Sequence, residues 1–360
     1  MRIGILTFHW AQNYGAVLQC YALMNKLKEL GHEVLIIDRL PKYQGIFRRL
    51  YHRFSYKYYL SWLKFSRFNK QWLIPKTKRY TTQHSLENFE SNEKLDAVIV
   101  GSDQVWRWEI MGYNYFLDFI RKGNIRKYAY AASFGLSHWE SQELELSQVK
   151  LLLKEFDAIS VREQSGVSIC NQVFGVPAQL VIDPTLLFDA YHYEAVFWRE
   201  GPKDVANKVV SYILGEKAME QCMKISRWAE SQGMDYRDLY WTRLGYPALT
   251  KGTNFFFHMT VEEWLDEIRN AAYVITNSFH CMVFAILFRK KFVVLDNVSG
   301  GSDRIRTLLG ALQLKHRFID SSDDFYQLKR ILDDPIPYDE VEERIHACRR
   351  DAVYFLENIK

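Results

Sequence analysis

The residues of this 360-residue chain best suited to chemistry fall at the ends of apolar runs. His280 follows the run YVIT at 273–276 and precedes Cys281–Phe288, which reads as a helix. Backbone N–H groups at a helix start favour an anion. A histidine there either clamps a phosphate or gives up a proton as a general acid; a capping or core histidine is the plainer alternative. Asn277 and Ser278, just before it, offer hydrogen bonds. Arg304 and Arg306, in GSDRIR at 301–306, open another expected helix, where they either reach a phosphate or form a solvated face. Asp103 and Gln104 follow DAVIVG at 96–101. Asp103 either takes a proton from a hydroxyl or caps the next helix. The loop Gln12–Gly15 follows the first apolar run. Gly15 allows close backbone approach, and Asn13 beside Tyr14 suits sugar hydroxyls. The loop lacks the GxGxxG spacing, and no acidic residue is set for a ribose, so no dinucleotide is expected. The ten histidines form neither HxH nor HExxH and there is no DxD pair, so no metal is expected.

Several segments, in order, resemble the polysaccharide pyruvyl transferase family. They are HWAQNYGAVLQCYAL at 9–23, VGSDQVWR at 100–107, SFG at 133–135, ISVRE at 159–163, DPTLL at 183–187, ITNSFHCMVFAILFRKKFVVL at 275–295 and GSDRIRTLLGALQL at 301–314. With the opening strand, the likeness runs from residue 2 to about 314. It implies an α/β chain of two Rossmann-like domains facing a cleft, as in GT-B glycosyltransferases. It also implies phosphoenolpyruvate as donor, a sugar or lipid-linked oligosaccharide of capsule, exopolysaccharide or cell-envelope synthesis as acceptor, and no further cofactor.

In the implied reaction the methylene carbon of phosphoenolpyruvate accepts a proton. A sugar hydroxyl adds to the resulting oxocarbenium-like centre, phosphate leaves, and a second hydroxyl closes a cyclic ketal. Arginine suits the donor's phosphate and carboxylate because its planar fork binds both. The resemblance assigns Arg162, at a position the family keeps basic, to the donor anion; a surface ion pair with Glu163 or another carboxylate is the alternative. Asn277, Ser278, Arg304 and Arg306 join it on the donor side. Asn13, Tyr14, Gly15 and Gln104 fall on the acceptor side, with His280 and Asp103 as acid and base. One departure stands out. Many relatives carry arginine two residues before the motif histidine, where this chain has Ser278. The donor's charge is then met from elsewhere, by Arg304 or Lys290, or the donor differs. A GT-B-type glycosyltransferase using a nucleotide sugar is the alternative function, and a membrane scaffold without catalysis is the third.

The elements that must position these residues read as alternating strands and helices. RIGILT at 2–7, a helix over 15–30 with Leu18, Ala22, Leu23 and Leu27 on one face, and a strand over 33–37 make a βαβ unit, with Gly31 as helix stop. Strands are expected at 96–101, 127–133, 158–161 and 179–182, a helix at about 140–156, and a short helix at 166–173. A second set opens with a strand at 208–214 and a helix at 219–231. It continues with a strand within 234–241, a helix at 260–270 capped by the Thr260/Glu263 pair, and strands at 273–276 and 292–295. A helix over 339–358 ends the chain. The domains expected are 1–195, on the acceptor side, with a basic, aromatic helical insertion at 43–80 whose helix ends before Pro75; 196–338, on the donor side, with the boundary in the polar, turn-rich stretch near 189–207; and a terminal helix at 339–360.

Composition sets the frame. A chain of this length suits two domains. The five cysteines are odd in number and widely spaced, which fits a reducing, cytoplasmic setting rather than a disulfide framework. Net charge is +4, but Arg39–Leu86 holds twelve Lys or Arg and no acidic residue, leaving 35 basic against 43 acidic residues elsewhere. In this stretch Arg48, Arg49, Arg53, Lys57, Lys64 and Arg67 interleave with Phe47, Tyr51, Phe54, Tyr58, Trp62 and Phe65. Such a segment either meets an anionic membrane at its inner face or packs its rings on the domain. Nucleic acid is not expected, since no recognition fold is visible and the rest of the chain is acidic.

Overall fold

The fold comes from a computed structural model that describes residues 1–40, 56–108, 112–121, 123, 125–140, 142–198, 207–215, 217–240, 259–296, 301–320 and 326–360. Eleven strands in these segments form two wholly parallel sheets. The first sheet contains β1 (Arg2–Leu6), β2 (Glu33–Ile36), β3 (Ala97–Val100), β4 (Arg126–Ala132), β5 (Ala158–Val161) and β6 (Gln179–Leu180), in the order β2-β1-β3-β4-β5-β6. The second contains β7 (Lys208–Tyr212), β8 (Asp235–Asp238), β9 (Tyr273–Thr276), β10 (Lys291–Leu295) and β11 (Phe318–Ile319), in the order β11-β10-β9-β7-β8. In both sheets the opening strand lies between the second and the third, a doubly wound order. Parallel strands are covered on both faces, which explains the unbroken apolar runs AVIV and YVIT. Each sheet is a Rossmann-like unit, as the alternation of elements predicts.

The chain divides into two compact units. One gathers Met1–His52, Arg67–Leu187 and His346–Lys360; the other gathers Arg53–Ser66 and Phe188–Ile345. Helix α1 (Tyr14–Glu29) connects β1 to β2. The single apolar face expected of it is too narrow: twelve of its sixteen residues are buried. The cause is tertiary. The turn Pro184–Leu187 packs on it, and the Tyr21 ring meets those of Phe68 and Trp72, at 6.4 and 5.9 Å, from helix α2 (Tyr56–Trp72). Burying a Leu or Val side chain here contributes about 1.5–3 kcal/mol. Helix α2 ends before Pro75, as its sequence predicts. Arg48, Arg49, Arg53, Phe47, Tyr51 and Phe54, and the side chains of Lys57 and Tyr58, lie outside the described residues.

Helix α3 (Glu143–Leu153) precedes β5. The short helix expected at 166–173 is instead α4 (Gln164–Ser168), running into a wider π turn, Ile169–Phe174, that ends at Gly175 with φ 66°. In the second unit α5 (Ala190–Phe197) falls where a connecting stretch was expected, followed by α6 (Ala218–Ser231) and α7 (Val261–Arg269). Thr260 and Glu263 close the capping box on α7: Thr260 N donates to Glu263 Oε2 at 2.7 Å and Glu263 N to Thr260 Oγ1 at 3.1 Å. Helices α8 (Phe279–Leu287), α9 (Ser302–Ala311) and α10 (Tyr326–Asp333) complete that unit. The last helix, α11 (Tyr338–Glu357), runs into the chain end, which returns to the first unit. There Arg349 Nε donates to Leu186 O at 2.8 Å, and Tyr128 Oη donates to Lys360 O at 3.0 Å.

Candidate functional site

In a doubly wound sheet the carboxyl ends of the strands at the point of order reversal open a crevice for ligands. The first unit has this point between β1 and β3. Past it lie Thr7, from β1, and Gly101, Ser102 and Asp103, from β3. Gly101 adopts φ +114°, and a Cβ there would sit 2.3 Å from Tyr130 O, so no other residue fits without displacing β4. Asp103 also has a left-handed φ, +80°. Ser133 N donates to Asp103 O at 3.0 Å, which ties this turn to the end of β4.

Buried hydrogen bonds fix the turn. Gln19 of α1 donates through Nε2 to Thr7 Oγ1 at 2.8 Å and Ala16 O at 2.7 Å, and accepts from Ser102 N at 3.0 Å. Thr7 Oγ1 donates to Ser102 O at 2.8 Å. Ser102 Oγ lies 2.9 Å from Ala131 O and 3.0 Å from Asp183 Oδ2. Asp183 Oδ1 accepts from Thr185 N at 3.0 Å and Thr185 Oγ1 at 2.7 Å. Arg162, just past β5, donates through Nη1 to Asp183 Oδ2 at 2.7 Å and through Nη2 to Asp103 Oδ1 at 3.0 Å. Burial alone would lower the Arg162 pKa, but the carboxylates of Asp103, Asp183 and Glu163 outweigh it and raise it. Of the two readings of Arg162, anion ligand or ion pair, the structure has the ion pair, buried rather than at the surface. The main partners are Asp183 and Asp103, whereas Glu163 Oε2 stands 3.9 Å from Nε.

Among these charged side chains Asp103 is the one partly open, at 15% exposure against 1% for Arg162 and 0% for Asp183. Its Oδ1 also accepts from Gln104 N at 2.9 Å. The Gln104 side chain lies against Gly135, where a Cβ would meet Gln104 Oε1 at 2.6 Å. Of the loop residues, Asn13 is exposed and caps α1, accepting from Ala16 N at 3.2 Å. Tyr14 and Gly15 are buried in the core side of the helix. A second buried cluster lies past β1: His9 Nε2 is 3.0 Å from Asp38 Oδ1, and Arg79 Nε donates to Asp38 Oδ2 at 2.9 Å.

The second unit has its reversal point between β7 and β9. Thr276 Oγ1 donates to Tyr212 O at 2.6 Å and accepts from Ser278 N at 3.0 Å. Asn277 uses its amide on backbone, accepting from Leu214 N at 2.7 Å and donating to Leu214 O at 2.8 Å. Ser278 is the N-cap of α8, with no side-chain cap bond. All nine residues of α8 are buried, and the helix starts at Phe279, two residues earlier than expected. His280 therefore stands inside its first turn, 8% exposed, its ring edge-to-face with Phe279 at 5.2 Å. The Arg304 guanidinium lies 5.9 Å above the Phe279 ring, which brings Arg304 to the same helix end. Arg306 points elsewhere: it lies over the Phe318 ring at 4.0 Å and pairs with Asp320. Positions two apart on a helix face different sides, which separates the two arginines.

Sequence reasoning named Asp103 and Arg162, which the structure places together past β3 and β5, and His280 and Arg304, which it places at the start of α8; it named Asn277 for a ligand where the side chain holds Leu214. It missed Thr7, Gln19, Ser102 and Asp183. Three of these had a signal, since Gln19, Ser102 and Asp183 lie in the family-like segments HWAQNYGAVLQCYAL, VGSDQVWR and DPTLL. Among the described residues no group of three or more His, Cys, Asp or Glu is placed to hold a metal ion.

Comparison with known proteins adds to this geometry. A family model described as polysaccharide pyruvyl transferase matches residues 13–299. No curated protein matches the chain. Among solved structures, the chain is similar to a putative UDP-N-acetylglucosamine 2-epimerase from Listeria monocytogenes, with a TM-score of 0.58, 10% identity, and 95% of this chain and 91% of that one covered. It is also similar to UDP-GlcNAc 2-epimerase from Neisseria meningitidis bound to UDP-GlcNAc, with a TM-score of 0.53, 10% identity and 96% and 99% covered. A third is S. aureus MnaA solved with UDP, with a TM-score of 0.54, 14% identity and 96% and 91% covered. These likenesses concern the fold, and they agree with the GT-B-like, two-Rossmann class expected.

Proposed function

The chain belongs to the polysaccharide pyruvyl transferase family, and from that premise we propose that it moves the pyruvyl group of phosphoenolpyruvate onto a sugar as a cyclic ketal. The observation that carries this reading is His280 in the first turn of α8, directly past β9 at the reversal point of the second sheet. The helix N-terminus and Arg304 favour the donor phosphate there. His280 delivers a proton to the donor's methylene carbon. One sugar hydroxyl adds to the resulting centre, losing its proton to Asp103; phosphate leaves, and a second hydroxyl closes the ketal as its proton passes to the departing phosphate. The acceptor is a sugar of a polysaccharide or lipid-linked intermediate of the cell envelope, at the cytoplasmic side. No cofactor is required. A peripheral membrane contact through α2 fits such an acceptor. Trp62 and Leu63 are 48% and 39% exposed, and Arg67 and Lys70 share that side of the helix, opposite the buried Phe65 and Phe68.

Calorimetry with phosphoenolpyruvate tests the donor. Wild type is expected to bind it and His280→Ala to bind at least tenfold more weakly. A nucleotide-sugar donor is the second reading, favoured by Ser278 in place of the arginine of many relatives. Binding of UDP-GlcNAc with no binding of phosphoenolpyruvate would establish that reading instead.

A further inference from the structure

We infer that Arg162 is a positioning residue whose task is to aim the Asp103 carboxylate at the β1–β3 reversal point, with Asp183 and Ser102 holding the guanidinium side. The inference rests on the proposed role of Asp103 as the acceptor's base. Three observations carry it. The guanidinium uses separate nitrogens on separate carboxylates, Nη1 on Asp183 at 2.7 Å and Nη2 on Asp103 at 3.0 Å. The fork is planar and rigid, so fixing one arm on Asp183 fixes the direction of the other. Asp183 is itself immobilised through both oxygens, by Thr185 N and Oγ1 on Oδ1 and by Ser102 Oγ on Oδ2.

Exposure points the same way along this chain. Asp183 and Arg162 are closed off, at 0% and 1%, and Asp103 at its end is open at 15%. An arginine built to catch a substrate anion would present its fork outward, whereas this one turns it onto carboxylates. The backbone supports the same end. Asp103 has a left-handed φ of +80°, a conformation non-glycine residues rarely adopt, held by Ser133 N on Asp103 O and by Gln19 on the preceding Ser102 amide. Backbone and side chain of Asp103 are thus fixed independently, by groups from α1 and from the loops after β4, β5 and β6.

Arg162→Lys keeps the positive charge and loses the fork. Its melting temperature shows whether the first unit remains folded, and Ser102→Ala, which loosens Asp183 while leaving Arg162 in place, is the milder companion. A carboxylate displaced by about 1 Å costs roughly 100-fold in rate. Arg162→Lys is expected to lower kcat by 10- to 100-fold and Ser102→Ala by less, with the dissociation constant for phosphoenolpyruvate within twofold of wild type. Wild-type turnover in Arg162→Lys, or a tenfold weaker phosphoenolpyruvate affinity with kcat retained, overturns the inference. Crystal structures of wild type and Arg162→Lys decide it without any donor: the Asp103 carboxylate is expected to shift, and an unmoved carboxylate refutes the positioning role. If wild type binds no phosphoenolpyruvate, the proposed reaction falls while this structural comparison still stands.

Discussion

At the scale of single residues, the two arginines of α9 show how little sequence position says about role. Arg304 and Arg306 are equal candidates in GSDRIR, yet Arg304 stands over Phe279 at the start of α8 and Arg306 over Phe318, paired with Asp320. A charge-assisted bond to an anion contributes about 1.5–3 kcal/mol. Arg304→Ala is therefore expected to weaken phosphoenolpyruvate binding by roughly 10- to 100-fold, and Arg306→Ala to leave it within twofold. Calorimetry on the two variants reads the difference; equal losses would remove Arg304 from the donor site. Asn277 carries a similar lesson, since an amide that looks ready for a ligand is used on Leu214 backbone.

At the scale of elements, the loop after β1 and the end of β2 are joined by the buried pair His9–Asp38, with Arg79 on the other Asp38 oxygen. Burial alone would raise the Asp38 pKa, but the bonds from His9 and Arg79 outweigh it and hold it at about 2. A carboxyl lowered in the fold stabilises it above the ordinary carboxyl pKa, near 4, and loses that contribution as pH falls toward 2. Burial lowers His9 in spite of the bond to Asp38, so the folded chain also takes up its histidine proton later than the unfolded chain does. Stability of the first unit is expected to fall from about pH 6.5 downward and again between pH 4 and 2, the second step by about 2 kcal/mol. Urea unfolding across this range checks it, and Asp38→Asn should flatten the lower step. An unchanged acid limb in that variant would show that the pair does not set it.

At the scale of the whole molecule, charge is concentrated in Arg39–Leu86 while the remainder is acidic in balance. Among the described residues no helix is long and apolar enough to cross a membrane. Attraction of a basic residue to an anionic bilayer contributes about 1 kcal/mol. Sedimentation with phosphatidylglycerol–phosphatidylcholine vesicles is expected to carry the protein down at low salt. Arg67→Gln with Lys70→Gln should weaken this by roughly 30-fold. Failure to bind the anionic vesicles, or equal binding to pure phosphatidylcholine, would remove the membrane contact from the proposal.

Much of the fold was legible because it is local. Apolar runs such as AVIV and YVIT, the Thr260/Glu263 box, and stops such as Gly31 and Pro75 report strand, helix and boundary within a few residues. The ordered family-like segments likewise pointed to His280, Asp103 and Arg162. Tertiary structure alone decided what those side chains meet. Arg162 reaches Asp103 across 59 positions, Gln19 reaches Ser102 across 83, and Tyr128 reaches Lys360 across 232. The same residue types in the same order are compatible with an arginine facing a ligand or facing carboxylates, because periodicity tells which face is buried and not which partner waits there. The sheet order supplies the partner, by bringing the ends of β1, β3, β4, β5 and β6 together over distances no local pattern spans.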